Sequence, residues 1–223
     1  MINIAFNRSK IEKGFWIFLK KIMEAKPVLL CIPDISGFTR FMADIDFELS
    51  SKVVPSLLNN IIYSNEINLN ISEIEGDAVL FYRSGRLPSL KVLVDQSIYF
   101  YTEFYRQIGI LRQRNLGRSG AESIPEILGL KIILHHGKEV GLVPIGTNIK
   151  LMGEDVIIAH RLLKNNIPLD EYILISEELL AHFDDAGHEE LFHWSPLTSD
   201  SITVDHLGAV NFKYVDLSPL QPS

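Results

Sequence analysis

Apolar positions along the 223-residue chain fall in short blocks whose spacing switches between the helical and the extended period. Phe15 to Ile22 mixes Phe, Trp, Ile and Leu with Lys10, Lys13, Lys20 and Lys21 at roughly helical spacing, which predicts an amphipathic N-terminal helix over residues 1–25. Lys26-Pro27 stops that pattern, and Val28 to Ile32 is a continuous apolar run, as expected of a central strand buried on both faces. The strand ends at Pro33-Asp34. Ser36-Gly37 leads into a helix start at Phe38 to Ala43, and Val53, Leu57, Leu58, Ile61 and Ile62 give Ser50 to Tyr63 a helical period. Ile67, Leu69 and Ile71 alternate with Asn68, Asn70 and Ser72, and a second extended run, Ala78 to Tyr82, follows Glu75-Gly76-Asp77. That pair predicts a hairpin with acidic residues at its turn.

Pro88 to Arg114 reads as one long, aromatic-rich helix, and Gly117 to Pro125 as a Gly/Ser loop expected to be disordered. Leu130 to His135 and Val140 to Ile145 flank His136-Gly137-Lys138-Glu139, which predicts a second hairpin. A short helix is expected over Asp155 to Leu163, a strand over Tyr172 to Ile175, and a helix starting at Ser176 with Glu178 in its first turn. From Phe192 to Leu217 the chain shows scattered extended pieces without a strong period. The order β-α-α-β-β-α-β-β-α-β-α, with a β-rich tail, implies an α/β (α+β) fold: a mixed sheet of ferredoxin-like topology, covered mainly on one face. One domain over residues 26–223 is expected, with a core at 28–180 and the tail at 181–223. No internal repeat is present.

Composition narrows the partners. The net charge of −7 argues against a general nucleic-acid or anionic-membrane surface and points to small molecules or proteins. The apolar N-terminal stretch is too short and too lysine-rich for a membrane span and lacks the small-residue cleavage site of a signal peptide. Packing on the domain or on a second subunit suits it, and so does lying on a membrane surface. With no targeting signal read, cytoplasm is the expected location. The single cysteine, Cys31, sits inside an apolar run and is expected to be a buried, reduced thiol.

The candidate chemistry lies in two carboxylates. Asp34 stands where an apolar strand gives way to a glycine turn and a helix, and Asp77 stands at the tip of a hairpin that the pattern assigns to the same sheet. Hard cations such as Mg²⁺ bind through one or two carboxylates plus substrate phosphates, and the backbone amides of Gly37, Phe38 and Thr39 would present donors to those phosphates. Taken singly, Asp34 also fits a helix-capping residue and Asp77 a turn residue. His135-His136 with His160 makes a poor transition-metal set, because adjacent residues on a strand point to opposite faces. Tyr99, Phe100, Tyr101, Phe104 and Tyr105 read as core or dimer packing, and Ser36 and Ser176 show no His-Asp pattern beside them.

Pro33-Asp34-Ile35-Ser36-Gly37-Phe38-Thr39 and Ile74-Glu75-Gly76-Asp77-Ala78-Val79 resemble the two metal-site segments of class III adenylyl and guanylyl cyclases. Leu130 to Val140, Met152-Gly153-Glu154-Asp155-Val156-Ile157-Ile158-Ala159-His160-Arg161 and Tyr172 to Ser176 resemble three further segments of that superfamily, all in family order over residues 28–180. The chain is also similar to an uncharacterised bacterial family of cyclase-like proteins, a domain of unknown function with the same Pro-Asp-Ile-Ser-Gly-Phe-Thr and Glu-Gly-Asp-Ala-Val patterns. The resemblance implies a head-to-tail homodimer with active sites between subunits and Mg²⁺ or Mn²⁺ as cofactor. By position it implies Asp34, Asp77 and the Ile35 carbonyl as metal ligands and Arg161 as the residue that stabilises charge developing on a nucleoside triphosphate. The reaction implied is formation of a 3′,5′-cyclic nucleotide with release of pyrophosphate. Two positions depart from the family. Ile157 stands where a ribose-orienting Asn is expected, and the base-reading positions carry exchanged charges, Glu73 and Lys150, which makes GTP the expected substrate and disfavours ATP. Ile157 equally fits a catalytically inactive module that binds nucleotide or dimerises.

Overall fold

The computed structural model describes residues 25–118, 124–146, 148–184 and 188–222. The helix expected before residue 25 lies outside them, as do residues 119–123 of the loop expected to be disordered over Gly117 to Pro125; the end of that loop is ordered instead, with Ile124 buried at the start of a short helix. In chain order the elements are β1 (Lys26–Ser36), α1 (Phe38–Asp44), α2 (Phe47–Tyr63), β2 (Asn70–Glu75), β3 (Ala78–Ser84), α3 (Leu90–Arg114), α4 (Ile124–Ile127) and β4 (Gly129–Ile145). They continue with β5 (Asn148–Met152), α5 (Glu154–Leu162), β6 (Tyr172–Ser176), α6 (Glu177–Leu180), α7 (His188–Leu191), β7 (Thr198–Val204) and β8 (Gly208–Asp216).

An eight-stranded, mostly antiparallel sheet runs in the order β2-β3-β1-β4-β6-β8-β7, with β5 attached to β4 alone and the β4–β6 pair parallel. The apolar run that marks β1 has the central position it predicts, between β3 and β4. Its alternate residues feed two cores, Leu29, Cys31 and Ile35 on one face and Val28, Leu30 and Ile32 on the other. The first core is closed by α2 and α3, whose Leu57, Phe100, Tyr101 and Phe104 are fully buried, as expected of packing aromatics. Among the described residues only α5 covers the second, through Val156, Ile158, Ala159 and Leu162, so the described helices lie mainly on one face. Cys31 is buried, and that burial pushes its thiol pKa far up, keeping it protonated. No helix among the described residues is long and apolar enough to cross a membrane.

Local hydrogen bonds explain where the helices start and how the acidic hairpin is held. Asp46 accepts from Leu49 N–H at 2.9 Å to cap α2, and Ser89 and Ser176 cap α3 and α6 in the same way. Gln96, buried in α3, accepts from Glu66 N–H and Ile67 N–H and donates to Ser64 C=O at 2.8 Å, so the connection into β2 is tied to the core helix.

One expectation is corrected. Residues His136 to Glu139 are not a turn: β4 runs unbroken through them, and its hairpin partner is β5, joined beyond Gly146. In the β1–β4 ladder Val28 faces Gly137 while Lys26 faces Val140, so β4 carries an extra residue here, a bulge. The glycine that resembles a turn former is needed for close approach instead, since a Cβ on Gly137 would lie 2.6 Å from the Asp155 Cβ of α5. The tail pieces are likewise regular, forming the β7–β8 hairpin on the edge beyond β6.

Candidate functional site

Alternation along β1 puts Asp34 on the α5 side of the sheet together with Ile32. Its cross-strand neighbours are Ala78 on β3 and Lys131 on β4. Asp77 precedes Ala78 in the β2–β3 turn, where Gly76 supplies the left-handed residue (φ 60°). Ile35 N–H donates to the Asp77 carbonyl at 3.0 Å, locking the turn onto the end of β1. The consequence is that Asp34 and Asp77, 43 residues apart in sequence, line one pocket of about 360 Å³ with Glu75, Lys131, His160 and Lys164.

The charges in this pocket act on one another. Burial pushes the Asp77 carboxyl above the usual carboxylate range, and the nearby Asp34 charge pushes it further, with Lys131 opposing. Burial works against a charged Lys131, yet the charge and hydrogen bond of Asp34 outweigh it and leave the ammonium pKa raised. The two form an ion pair at 2.9 Å. A buried and a half-buried carboxylate that repel each other are a condition a hard divalent cation relieves, and their oxygen donors suit Mg²⁺ or Mn²⁺. Among the described residues no group of three or more His, Cys, Asp or Glu side chains forms a closed metal centre. A cation bound here would complete its shell with backbone, water or phosphate oxygens.

The other expected site residues are distributed around this pocket rather than in it. Ile35 turns its side chain into the opposite core. Gly37, Phe38 and Thr39 do not line the pocket either: Gly37 adopts φ 76°, Phe38 packs on the helical core, and Thr39 is exposed. Glu73 and Lys150, far apart in sequence, meet as a direct ion pair between β2 and β5. Arg161 and Ile157 both sit exposed on α5, outside the pocket lining.

Sequence reasoning missed Lys131, Glu75 and Lys164 as pocket residues. Lys131 had a signal, being the cation two positions into the strand that pairs with β1. A second correction concerns Ser176. His135, fully buried, places Nδ1 2.8 Å from Ser176 Oγ and Nε2 3.3 Å from Asp155 Oδ1, an order reminiscent of a nucleophilic triad. Ser176 is fully buried and its Oγ accepts from Leu179 N–H at the start of α6, so the array is a structural brace. Asp155 completes it by accepting from the amides of Lys138 and Glu139 at 2.8 and 3.2 Å, which pins α5 to the β4 bulge. His136 faces the other side of the sheet, as adjacent strand residues must, and its Nδ1 lies 3.0 Å from His182 Nε2.

Comparison with known proteins agrees with the fold. The structure of the guanylyl cyclase Cya2 superposes with a TM-score of 0.59 at 16% identity, covering 86% of this chain and 92% of that one. The adenylyl cyclase CyaB from P. aeruginosa gives 0.54 at 19% identity, with 86% and 94% covered. At such identities the likeness shows a shared fold, that of nucleotide cyclase catalytic domains. The uncharacterized protein Rv2561/Rv2562 of Mycobacterium tuberculosis is 28% identical over 151 residues, 67% of each chain. A family model described as a protein of unknown function, DUF2652, matches residues 54–172, a span that includes the Asp77 turn, Lys131 and α5. Since that match takes in just over half of the chain, the protein belongs to the DUF2652 family.

Proposed function

We propose that this protein is a nucleotide cyclase-like enzyme that binds a nucleoside triphosphate with Mg²⁺ or Mn²⁺ at a homodimer interface and forms a 3′,5′-cyclic nucleotide. The observation that carries the reading is the shared pocket of Asp34 and Asp77. Bound there, the metal would lower the pKa of the attacking hydroxyl and neutralise the leaving group. Asp34 and Asp77 would hold it, with the Ile35 carbonyl as a further ligand, and the amides of Gly37, Phe38 and Thr39 at the start of α1 would meet phosphate oxygens. The ribose 3′-oxygen bonds to the α-phosphorus, the bond from that phosphorus to the bridging oxygen breaks, pyrophosphate leaves with the electron pair, and the hydroxyl proton passes to water. Arg161 of the partner subunit steadies the charge spreading over the phosphates, which its exposed position on α5 permits. Ile145, Ile149 and Met152, all exposed on the β4–β5 hairpin, support burial of this arm against a second copy.

Glu73 and Lys150, held together in one pair, offer an acceptor beside a donor. That order complements the N–H and O6 edge of guanine, so GTP is the proposed substrate. Incubating the dimeric protein with each of the four ribonucleoside triphosphates and Mn²⁺, with product read by mass spectrometry, tests this. A cyclic product lost in Asp34→Ala and Asp77→Ala is expected, and retention of full turnover by those variants would overturn the metal assignment. A second reading, a binding module without turnover, is favoured by Ile157, which is 53% exposed and offers no hydrogen bond to a ribose. Nucleotide binding without product from any triphosphate would select it.

A further inference from the structure

Lys131 carries the same sign of charge as the metal that Asp34 is proposed to hold, and it already holds Asp34. Its ammonium sits 2.9 Å from Asp34 Oδ2 and 3.5 Å from the Leu163 carbonyl, on a side chain 21% exposed against 11% for Asp34. The two residues face each other in the β1–β4 register, so the pair is built into the ladder and does not depend on a loop. The pocket's other polar side chains are Glu75, Asp77, Lys164 and His160, and of its lysines only Lys131 makes an ion pair with either aspartate among the described residues.

We infer that Lys131 is a resident counter-ion that competes with the divalent cation for Asp34; the inference rests on the metal-site reading above. With no metal bound, the Lys131 ammonium at 2.9 Å is the positive charge that offsets the repulsion between the two carboxylates. A dication coordinated to Asp34 would share that carboxylate with the ammonium, and like charges that close repel in a partly buried site. Metal entry therefore requires Lys131 to swing away on its flexible stem. The protein trades metal affinity for a carboxylate pair that is stable without metal.

The test is direct titration of Mn²⁺ into the EDTA-stripped full chain, followed by calorimetry and by the electron spin resonance signal of free Mn²⁺. Wild type is compared with Lys131→Met, Lys131→Arg, Asp34→Asn and the Asp34→Asn/Lys131→Met double variant. Lys131→Met should bind Mn²⁺ about ten- to a hundredfold more tightly, the size expected for removing one unit charge near a bound dication. Lys131→Arg should stay near wild type, and the double variant should lose the gain. Lys131→Met should also melt lower than wild type in EDTA and recover on adding Mn²⁺. Equal Mn²⁺ affinity in wild type and Lys131→Met, with binding still lost in Asp34→Asn, would overturn the competition and leave the metal site standing. Binding unaffected by Asp34→Asn, or absent from both wild type and Lys131→Met, would overturn the metal site itself. If Lys131→Met fails to fold, Lys131→Gln removes the charge while keeping a polar end and decides between the same outcomes.

Discussion

Replacing Gly37 by alanine tests the idea that the turn carrying Asp34 is shaped by a close backbone approach. Gly37 has φ 76°, and a Cβ on it would stand 1.9 Å from the Ile127 carbonyl oxygen of α4, far inside contact distance. Two costs add. A left-handed conformation costs a non-glycine residue about 1–2 kcal/mol, and forcing α4 off the turn adds the roughly 1–3 kcal/mol typical of overpacking. Gly76 provides the control, because it shares the left-handed conformation (φ 60°) but has nothing within 4 Å of the point where a Cβ would stand, so Gly76→Ala incurs only the first cost. Gly37→Ala should therefore lose about 3 kcal/mol against about 1 kcal/mol for Gly76→Ala. For a chain of this size each kcal/mol lowers Tm by about 2–4 °C, so melting followed by circular dichroism separates the two variants easily. Equal melting temperatures would refute the claim that Ile127 is seated against this turn.

Three further outcomes are expected. Burial pushes the Asp155 carboxyl up, but the His135 contact and the amides of Lys138 and Glu139 more than offset it, leaving the group below its ordinary range. Its stabilising contribution is thus present above the unfolded-state value and lost as pH falls through the folded one; Asp155→Asn should cost about 1.5–3 kcal/mol at pH 7, with the gap to wild type closing below about pH 4, in urea unfolding at several pH values. A gap independent of pH would remove the carboxylate's charge from the account of the brace. Ile157→Asn, at a half-exposed site, should change stability by less than about 0.5 kcal/mol yet raise the proposed cyclase turnover by about 10²-fold; unchanged turnover in an active preparation would clear Ile157 as the limiting departure. Ile149→Glu should shift sedimentation from the proposed dimer toward monomer, and an unchanged dimer would place the interface elsewhere than the β4–β5 arm.

Much of this molecule was determined by local pattern. The apolar run of β1, the long period of α3 and the acidic turn before Ala78 are readable because strand and helix periods are set by residues a few positions apart, and these elements form where they predict. Fold class followed from their order. What only the tertiary structure decided is whatever depends on which segments lie side by side. His136 to Glu139 resembles a turn in sequence, but pairing with β1 on one side and Asp155 of α5 on the other carries β4 straight through. The β5 strand has no core of its own and exists as a partner of β4. Ser176 meets His135, and Lys131 meets Asp34, across strands that the sequence separates by 41 and 97 residues. Charge interactions act through space over a few ångströms, so the sheet's register, and no spacing along the chain, settled that the candidate metal site contains its own cation.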